Sequence, residues 1–425
     1  MRLQAVALTI LAAAATILAP CRAPCAHVVV DVGGGGDYVN IQEGLNAVEE
    51  GDSVVVAPGV YSGLLNRDLN FHGKDITLIS REGAEETVIE CSRQGRGLTF
   101  ESGETLAALV QGFTIRNGKA AAGGGISCSG GSSPRIVGCV VLGCEADNGG
   151  GMNWEGTSSG SIEDCVFDSN VTDGGGGGVR CDGASAPTIT GCTFIYNQAE
   201  LGGGMMARDN SSPHLNNVLF EANTARYGGG MRCEGGSATV THATFRSNHA
   251  TYSGGGMGTN LGATAQITDC LFIGNRADTR GGGFTSASAA EMTRCTFAGN
   301  RAVNGGGLFC GADGQAVITN TIIAMSTMGA GVYCDVPAGT YPQISHSCVY
   351  GNAGGDALCG GSHDNLFSNP LFCHYATWDL QLDAESPCLP ANNIWGEQIG
   401  LYGQGCGGSV AVEHTSWGYI KAMYR

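Results

Sequence analysis

Charge is scarce in this sequence. Charged residues make up 14% of its 425 positions, well under the ~25% typical of soluble domains. The formal balance is −17. A nucleic-acid-binding face needs a basic footprint, so that class is excluded. The net field also works against attraction to anionic polysaccharide or lipid. Proline is limited to 11 positions and no Gly-X-Y period runs through the chain, which excludes collagen. Neither Cys-x-x-Cys nor His-x-x-x-His occurs, so zinc is not expected. After residue 19 no run approaches the ~18 apolar residues of a spanning helix. Helical repeats are excluded as well. No 3.6-residue apolar stripe survives repeated glycine triplets, and each Gly costs about 1 kcal/mol inside a helix. Disorder is excluded by a hydrophobic content of 42%.

What the chain does have is glycine, at 72 positions, and 19 cysteines. The glycines are periodic. Triplets end at Gly125, Gly151, Gly178, Gly204, Gly230, Gly256, Gly283 and Gly307, with a degenerate copy at Gly331. The period is about 26 residues. A Phe-x-x-Asn pattern runs in phase: Phe167/Asn170, Phe194/Asn197, Phe220/Asn223, Phe245/Asn248, Phe272/Asn275 and Phe297/Asn300, with Val349/Asn352 a softer copy. Five residues before each Phe sits an apolar column that includes Ile136, Ile162, Ile189, Leu215, Val240 and Ile267.

Each unit reads as short strands separated by bends. Cys165 and Phe167 share one strand face, and Ile162 is out of that parity. Between them lies a column of Gly138, Asp164, Gly191, Asn217, His242, Asp269 and Asn320. Such residues tolerate left-handed backbone, so a tight bend is expected there. After each glycine run another apolar column follows, from Ile126 to Val332, with a second inward position two residues on. A propeller blade needs ~40–50 residues. Short strands at this period fit one coil of a parallel β-helix, with coils stacked ~4.8 Å apart. The Asn column is then expected to occupy left-handed bends and to form a ladder of stacked amides.

The first stretch reads as the start of the same solenoid. Asn40 and Glu43 resemble a helix N-cap pair, Ile41, Leu45 and Val48 lie on one face, and Gly51 is the expected stop. This helix would cover the open first coil. Strands are expected at 53–57, 76–80 and 87–91. Residues 1–26 read as an export signal, with cleavage near Ala23 to Ala26. Cys21 weakly resembles an acylation site, although Pro20 stands where such sites carry Gly or Ala. The expected organisation is a signal at 1–26, a solenoid over 27–359 with clear repeats at 112–352, a closing cap at 360–406, and an aromatic tail at 407–425. That tail is either a poorly ordered end or a sorting signal. A secreted or cell-surface monomer follows from this reading.

Export permits disulfides. Cys139, Cys165 and Cys192 stack in neighbouring coils, as do Cys270/Cys295 and Cys310/Cys334. Stacked Cβ atoms ~4.8 Å apart are too distant for the ~3.8 Å a disulfide wants, so these are expected to be buried thiols. Cys359, Cys373, Cys388 and Cys406 lie in the loop-rich cap and are the candidate disulfide cysteines, with three pairings open.

The glycine triplet followed by an apolar residue, together with Phe-x-x-Asn, resembles the repeats of chlamydial-type polymorphic outer-membrane proteins. Residues 33–61 and 369–391 resemble the beginning and end of helices in the pectin-lyase-like superfamily. The resemblance spans about residues 30–405 and implies an all-β fold: a single right-handed parallel β-helix of about a dozen coils with a short N-terminal capping helix. The autotransporter barrel of the chlamydial proteins has no counterpart here, so the resemblance does not imply self-insertion in a membrane.

Chemistry is harder to find. Uronate lyases of that superfamily need clustered Asp and a basic residue, and the hydrolases need several close carboxyls. No triad of acids stands on neighbouring coils. Glu163/Asp164 and Asp269 are four coils apart. Arg180 and Arg232 share an outward column but Met206 separates them, and His242 and His346 are distant. No catalytic or metal-binding residue is therefore expected, and no cofactor beyond loose calcium at Asp147, Asp173 and Glu200. Two classes remain: a non-catalytic scaffold presenting turn loops to a glycan or surface protein, and a polysaccharide lyase or hydrolase. For an enzyme the irregular stretches supply Asn66, Arg67, Asp68, Lys74, Arg93 and Arg96 as candidates.

Overall fold

In the computed structural model the described residues are 26–337, 341–360 and 364–406. The expected signal and tail, at 1–26 and 407–425, lie outside them except for Ala26. One coil shows the plan. Ser161–Glu163 belongs to a first sheet, Val166–Asp168 to a second, Val171–Thr172 to a third and Val179–Cys181 to a fourth, before Thr188–Thr190 returns to the first. These four parallel sheets contain 13, 12, 7 and 11 strands, and each strand pairs with its equivalent one coil away. Inter-coil register keeps like residues together: Ile162 pairs with Ile189, and Phe167 with Phe194. The expected dozen coils and the strands near 53, 76 and 87 are present.

The bend between the first two sheets forms as the column predicts. Asp164, Asn217, His242, Asp269 and Asn320 all have φ between 50° and 54°. Inside, the rings of Phe167, Phe194, Phe220, Phe245, Phe272 and Phe297 stack with centroids 4.4–5.1 Å apart and planes within 12°. The amide ladder also forms, and all six of its residues are buried: Asn170, Asn197, Asn223, Asn248, Asn275 and Asn300. Asn223 Oδ1 accepts from both the backbone N–H and the Nδ2 of Asn197 at 3.0 Å, while its own Nδ2 donates to the Phe194 carbonyl at 2.8 Å. The pattern repeats below it. Asn248 Oδ1 accepts from Asn223, Asn275 Oδ1 from Asn248, and Asn300 Oδ1 from Asn275. Nδ2 of Asn300 donates to the Phe272 carbonyl at 2.8 Å.

One expectation about this column is corrected. Asn170, Asn197, Asn223, Asn248, Asn275 and Asn300 do not themselves occupy the left-handed bends. The residue before each does: Ser169, Tyr196, Ala222, Ser247, Gly274 and Gly299 have φ of 52–64°. That preceding residue reverses the chain, which leaves the Asn free to aim its amide inward along the axis.

The capping helix α1 (Ile41–Ala47) is present, but its termini are satisfied from elsewhere. The Ile41 N–H is capped by Asn66 Oδ1 at 2.8 Å, and the Asn40 side chain donates to Glu43 instead. The helix stops at Ala47, before Gly51. Lys74 Nζ takes the free carbonyls of Leu45 and Val48 at 2.9 and 2.7 Å.

The cysteine expectations divide. Cys139, Cys165, Cys192, Cys270 and Cys295 are buried thiols. Cys310 is a thiol too, but Cys334 is not: it bonds to Cys359, 25 residues on in the chain, with Cα atoms 6.3 Å apart, so one pair a single period apart does bridge where the stacking argument expects thiols. In the terminal segment Cys373 bonds to Cys406, and Cys388 is a buried free thiol. Parallel pairing continues past 359 to Leu366, which bridges to Cys348. The described residues beyond it, up to 406, pack against the side of the solenoid. Leu380, Leu382, Leu389 and Ile399 fold back over the outer face of the second sheet, against Leu271, Ile273, Ile322 and Ala324. No helix among the described residues is long and apolar enough to cross a membrane.

Candidate functional site

The four outer faces differ in what they offer. The first sheet is hydroxyl-rich, with Thr188 exposed and Thr190, Thr241, Thr268 and Thr293 half-buried. The second is covered over its later coils by the terminal strap. The fourth sheet is sunk. The central residue of each of its strands points outward, yet Arg180 is 8% exposed, Arg232 4%, Phe309 2% and Met206 0%. Walls on both sides explain this, with the glycine loops on one flank and the turns leading back to the first sheet on the other.

The glycine wall depends on the absence of side chains. Gly228 has φ 68°, and a Cβ there would meet the Met231 carbonyl oxygen at 2.3 Å. The loop can therefore fold tightly beside the fourth sheet only with glycine. The result is a groove along the solenoid axis with a floor of Arg180, Met206, Arg232, Gly258, Thr285 and Phe309, which pair in register from coil to coil.

Arginines and acids alternate in it. Arg180 donates to Asn148 and Asp182. Burial disfavours the charged form of Asp182, but the Arg180 hydrogen bond and charge outweigh it and hold the carboxyl below its usual range. Arg208 Nε lies 2.7 Å from Asp209 and 3.9 Å from Asp182. Arg232 Nε donates to Glu234 at 3.0 Å. Burial pulls the Arg232 guanidinium down, with Glu234 opposing. Each of these carboxylates already faces a guanidinium.

Aromatic rings line the glycine-loop wall. Tyr227 and Tyr252 are 5.3 Å apart, and Arg232 lies over the Tyr227 ring at 5.5 Å. Together with Asn260, Arg280, Phe309 and Asp335 they surround a pocket of about 320 Å³. Gly258 opens its floor: a Cβ there would come within 3.0 Å of Arg232 Nη1. A groove with an apolar wall and a few convergent polar groups is the usual form of a binding site.

The sequence candidates lie elsewhere and are occupied. Asn66 is 2% exposed and caps α1. Lys74 holds the other end of that helix. Asp68 Oδ1 accepts from the Arg96 N–H at 2.9 Å, and Arg93 pairs with Glu145. Arg67 lies 3.9 Å from Asp68. Glu163 pairs with Arg135, Asp269 with Arg294, and His346 with Glu397. Asp147, Asp173 and Glu200 are exposed, and Glu200 pairs with Arg226. Among the described residues no three His, Cys, Asp or Glu side chains converge as a metal site would require. The sequence places Arg180 and Arg232 in one column but gives no sign of Tyr227, Tyr252, Arg280 and Phe309 as their neighbours.

A family model described as a right-handed beta helix region matches residues 70–250 and 239–372. No curated protein matches the chain. Among solved structures it is similar to a pectate lyase at 12% identity and TM-score 0.47, covering 90% of this chain and 97% of that one. A pectin methylesterase from carrot gives 12% and 0.29, with 87% and 93% covered. The catalytic unit of an alpha-1,3-glucanase from Streptomyces thermodiastaticus gives 15% and 0.34, with 80% and 70% covered.

Proposed function

The chain belongs to the right-handed β-helix family, and from that premise we propose that it is a non-catalytic, surface-displayed scaffold that binds glycan along the groove of its fourth sheet. The observation that carries the proposal is the groove itself: continuous over several coils, walled by aromatics, and polar at intervals. The likeness of its repeats to chlamydial-type outer-membrane proteins and the export signal read at 1–26 support display at a surface. The binding face is the sunken sheet rather than the turn loops. Glycoside hydrolysis needs one carboxyl kept protonated opposite a second. The groove instead supplies guanidinium partners to its carboxylates, which favours the charged form.

The test is a polysaccharide panel read two ways, by retention on the immobilised protein and by release of reducing ends. Retention without release is expected. Gly258→Val should abolish retention by filling the floor while leaving the protein folded, since valine suits a strand and the close contact is with the end of the Arg232 side chain. Steady release from any one polysaccharide would overturn the non-catalytic reading.

A further inference from the structure

We propose that the pocket around Arg280 is a subsite for one isolated anionic group on a glycan, so that the groove selects sparsely charged chains over dense polyanions. This deepens the glycan-binding reading above and rests on it. Arg280 is built into place. Its guanidinium carbon lies 5.8 Å from the Tyr252 ring centroid and 5.0 Å from that of Phe309. Two aromatic faces attract the cation and limit its swing. Its backbone is fixed as well: its N–H donates to the Tyr252 carbonyl at 3.1 Å, and Thr285 Oγ1 donates to its carbonyl at 3.2 Å.

The head group is held but only partly engaged, its side chain 37% exposed toward the pocket and solvent. Its Nε is buried with no hydrogen-bond partner. Its ionic neighbour Asp335 is 3.9 Å away with a side chain 64% exposed, a loose and solvated contact. Arg232, across the same pocket, differs: Glu234 holds it at 3.0 Å and it is 4% exposed. The pocket therefore contains one engaged arginine and one with donors to spare. A guanidinium fork fits the paired oxygens of a carboxylate or a sulfate ester. Charge count sets the selectivity. Asp182, Asp209 and Glu234 lie along the same groove, and the chain as a whole carries −17. These acids already take the arginines beside them, so a polymer charged on every sugar finds one available cation, Arg280, and meets the net negative field of the chain with its remaining charges. A chain with one acidic unit places it on Arg280 and lays neutral sugars elsewhere.

The test uses calorimetric titration with three xylan- and pectin-derived probes of equal length: a neutral xylo-oligosaccharide, the same bearing one glucuronic acid branch, and an oligogalacturonate. The singly acidic probe should bind tightest. Arg280→Gln should lower its affinity about tenfold or more, as for a lost charged hydrogen bond, down to the level of the neutral probe, and leave the neutral probe unchanged. Arg280→Lys keeps the charge and loses the fork; a several-fold loss is expected, and this variant carries the test should the Gln variant not fold. Equal affinity of wild type and both variants for the singly acidic probe, or tightest binding of the oligogalacturonate, would overturn the proposal. Acetate and sulfate, followed by thermal melting, separate the two layers. If no oligosaccharide binds but either anion raises the melting temperature of the wild type and not of Arg280→Gln, the anion subsite stands and the glycan reading fails. If neither anion nor oligosaccharide distinguishes them, the subsite itself fails.

Discussion

The inside of each coil and the groove outside it share one backbone and follow opposite rules. Inside, the same residue recurs from coil to coil: phenylalanine from 167 to 297 and asparagine from 170 to 300. Outside, in the floor of the groove, the equivalent positions are Ser127, Asn153, Arg180, Met206, Arg232, Gly258, Thr285 and Phe309. The reason is physical. A stacked interior rewards identity, because like rings overlap and amides hand one hydrogen bond to the next coil. A surface meant to meet something else gains nothing from identity. In a solenoid, the column that repeats specifies the fold and the column that varies while staying buried marks the site.

The sharpest way to break this contrast is to damage one rung of the ladder. Asn223→Ala removes the acceptor for two Asn197 donors and the donor for the Phe194 carbonyl. Each buried group left unpaired costs about 1–3 kcal/mol, so a loss of roughly 3–6 kcal/mol is expected by chemical denaturation. A loss below ~1 kcal/mol would show that the ladder decorates the fold rather than holding it. By contrast, Gly258→Val in the groove presses on the end of one side chain, Arg232, and should cost less than the broken rung.

The next effect in size compares two cysteines. Cys334→Ser opens a disulfide spanning 25 residues, for which chain-entropy arguments give about 3 kcal/mol. Cys388→Ser touches a buried thiol and should cost only ~1 kcal/mol from the lost apolar contact. Midpoints measured with and without reductant check the ranking: reductant should erase the Cys334→Ser difference and leave that of Cys388→Ser unchanged.

Those two cysteines also show where the sequence stops being legible. Strands, bends, the phenylalanine stack and the amide ladder can be read because the period places like residues on one another. The left-handed position reads one residue late all along the column, at Asn248 rather than Ser247 and at Asn300 rather than Gly299. Asparagine tolerates that backbone too, so residue type alone does not separate the two positions. Cys334 groups with Cys310 by column, yet it bonds to Cys359, 25 residues on, and residue type alone does not separate a stacked thiol from a bridged one. The groove is the hardest part. Tyr227, Tyr252, Arg280 and Phe309 are separated by 25 residues or more along the chain, and only the two tyrosines repeat from one coil to the next. The column shared by Arg180 and Arg232 is a usable signal. What it lacks is any mark that an outward position is walled in.

That walling gives the smallest predicted effect, and one confined to low pH. Asp182 is held below its ordinary value of 3.8, burial working against ionisation and Arg180 prevailing. A carboxyl with a lowered folded-state value contributes stability that is present above its unfolded value and is lost as pH falls through the folded one. The wild type should therefore lose denaturation midpoint below about pH 4. Arg180→Met fills similar space without the charge, so the Asp182 value should rise toward normal and its share of the acid loss should shrink. Glu90 and Glu163 are also lowered, by Arg116 and Asn117 against burial and by Ser161 and Arg135 respectively. They lie outside the groove and act equally in both proteins, so they cancel when the two acid profiles are subtracted. Identical acid profiles for the two proteins would mean that the arginine and acid pairs along the groove floor are solvated neighbours, and the floor would then be a hydrated surface rather than a preorganised one.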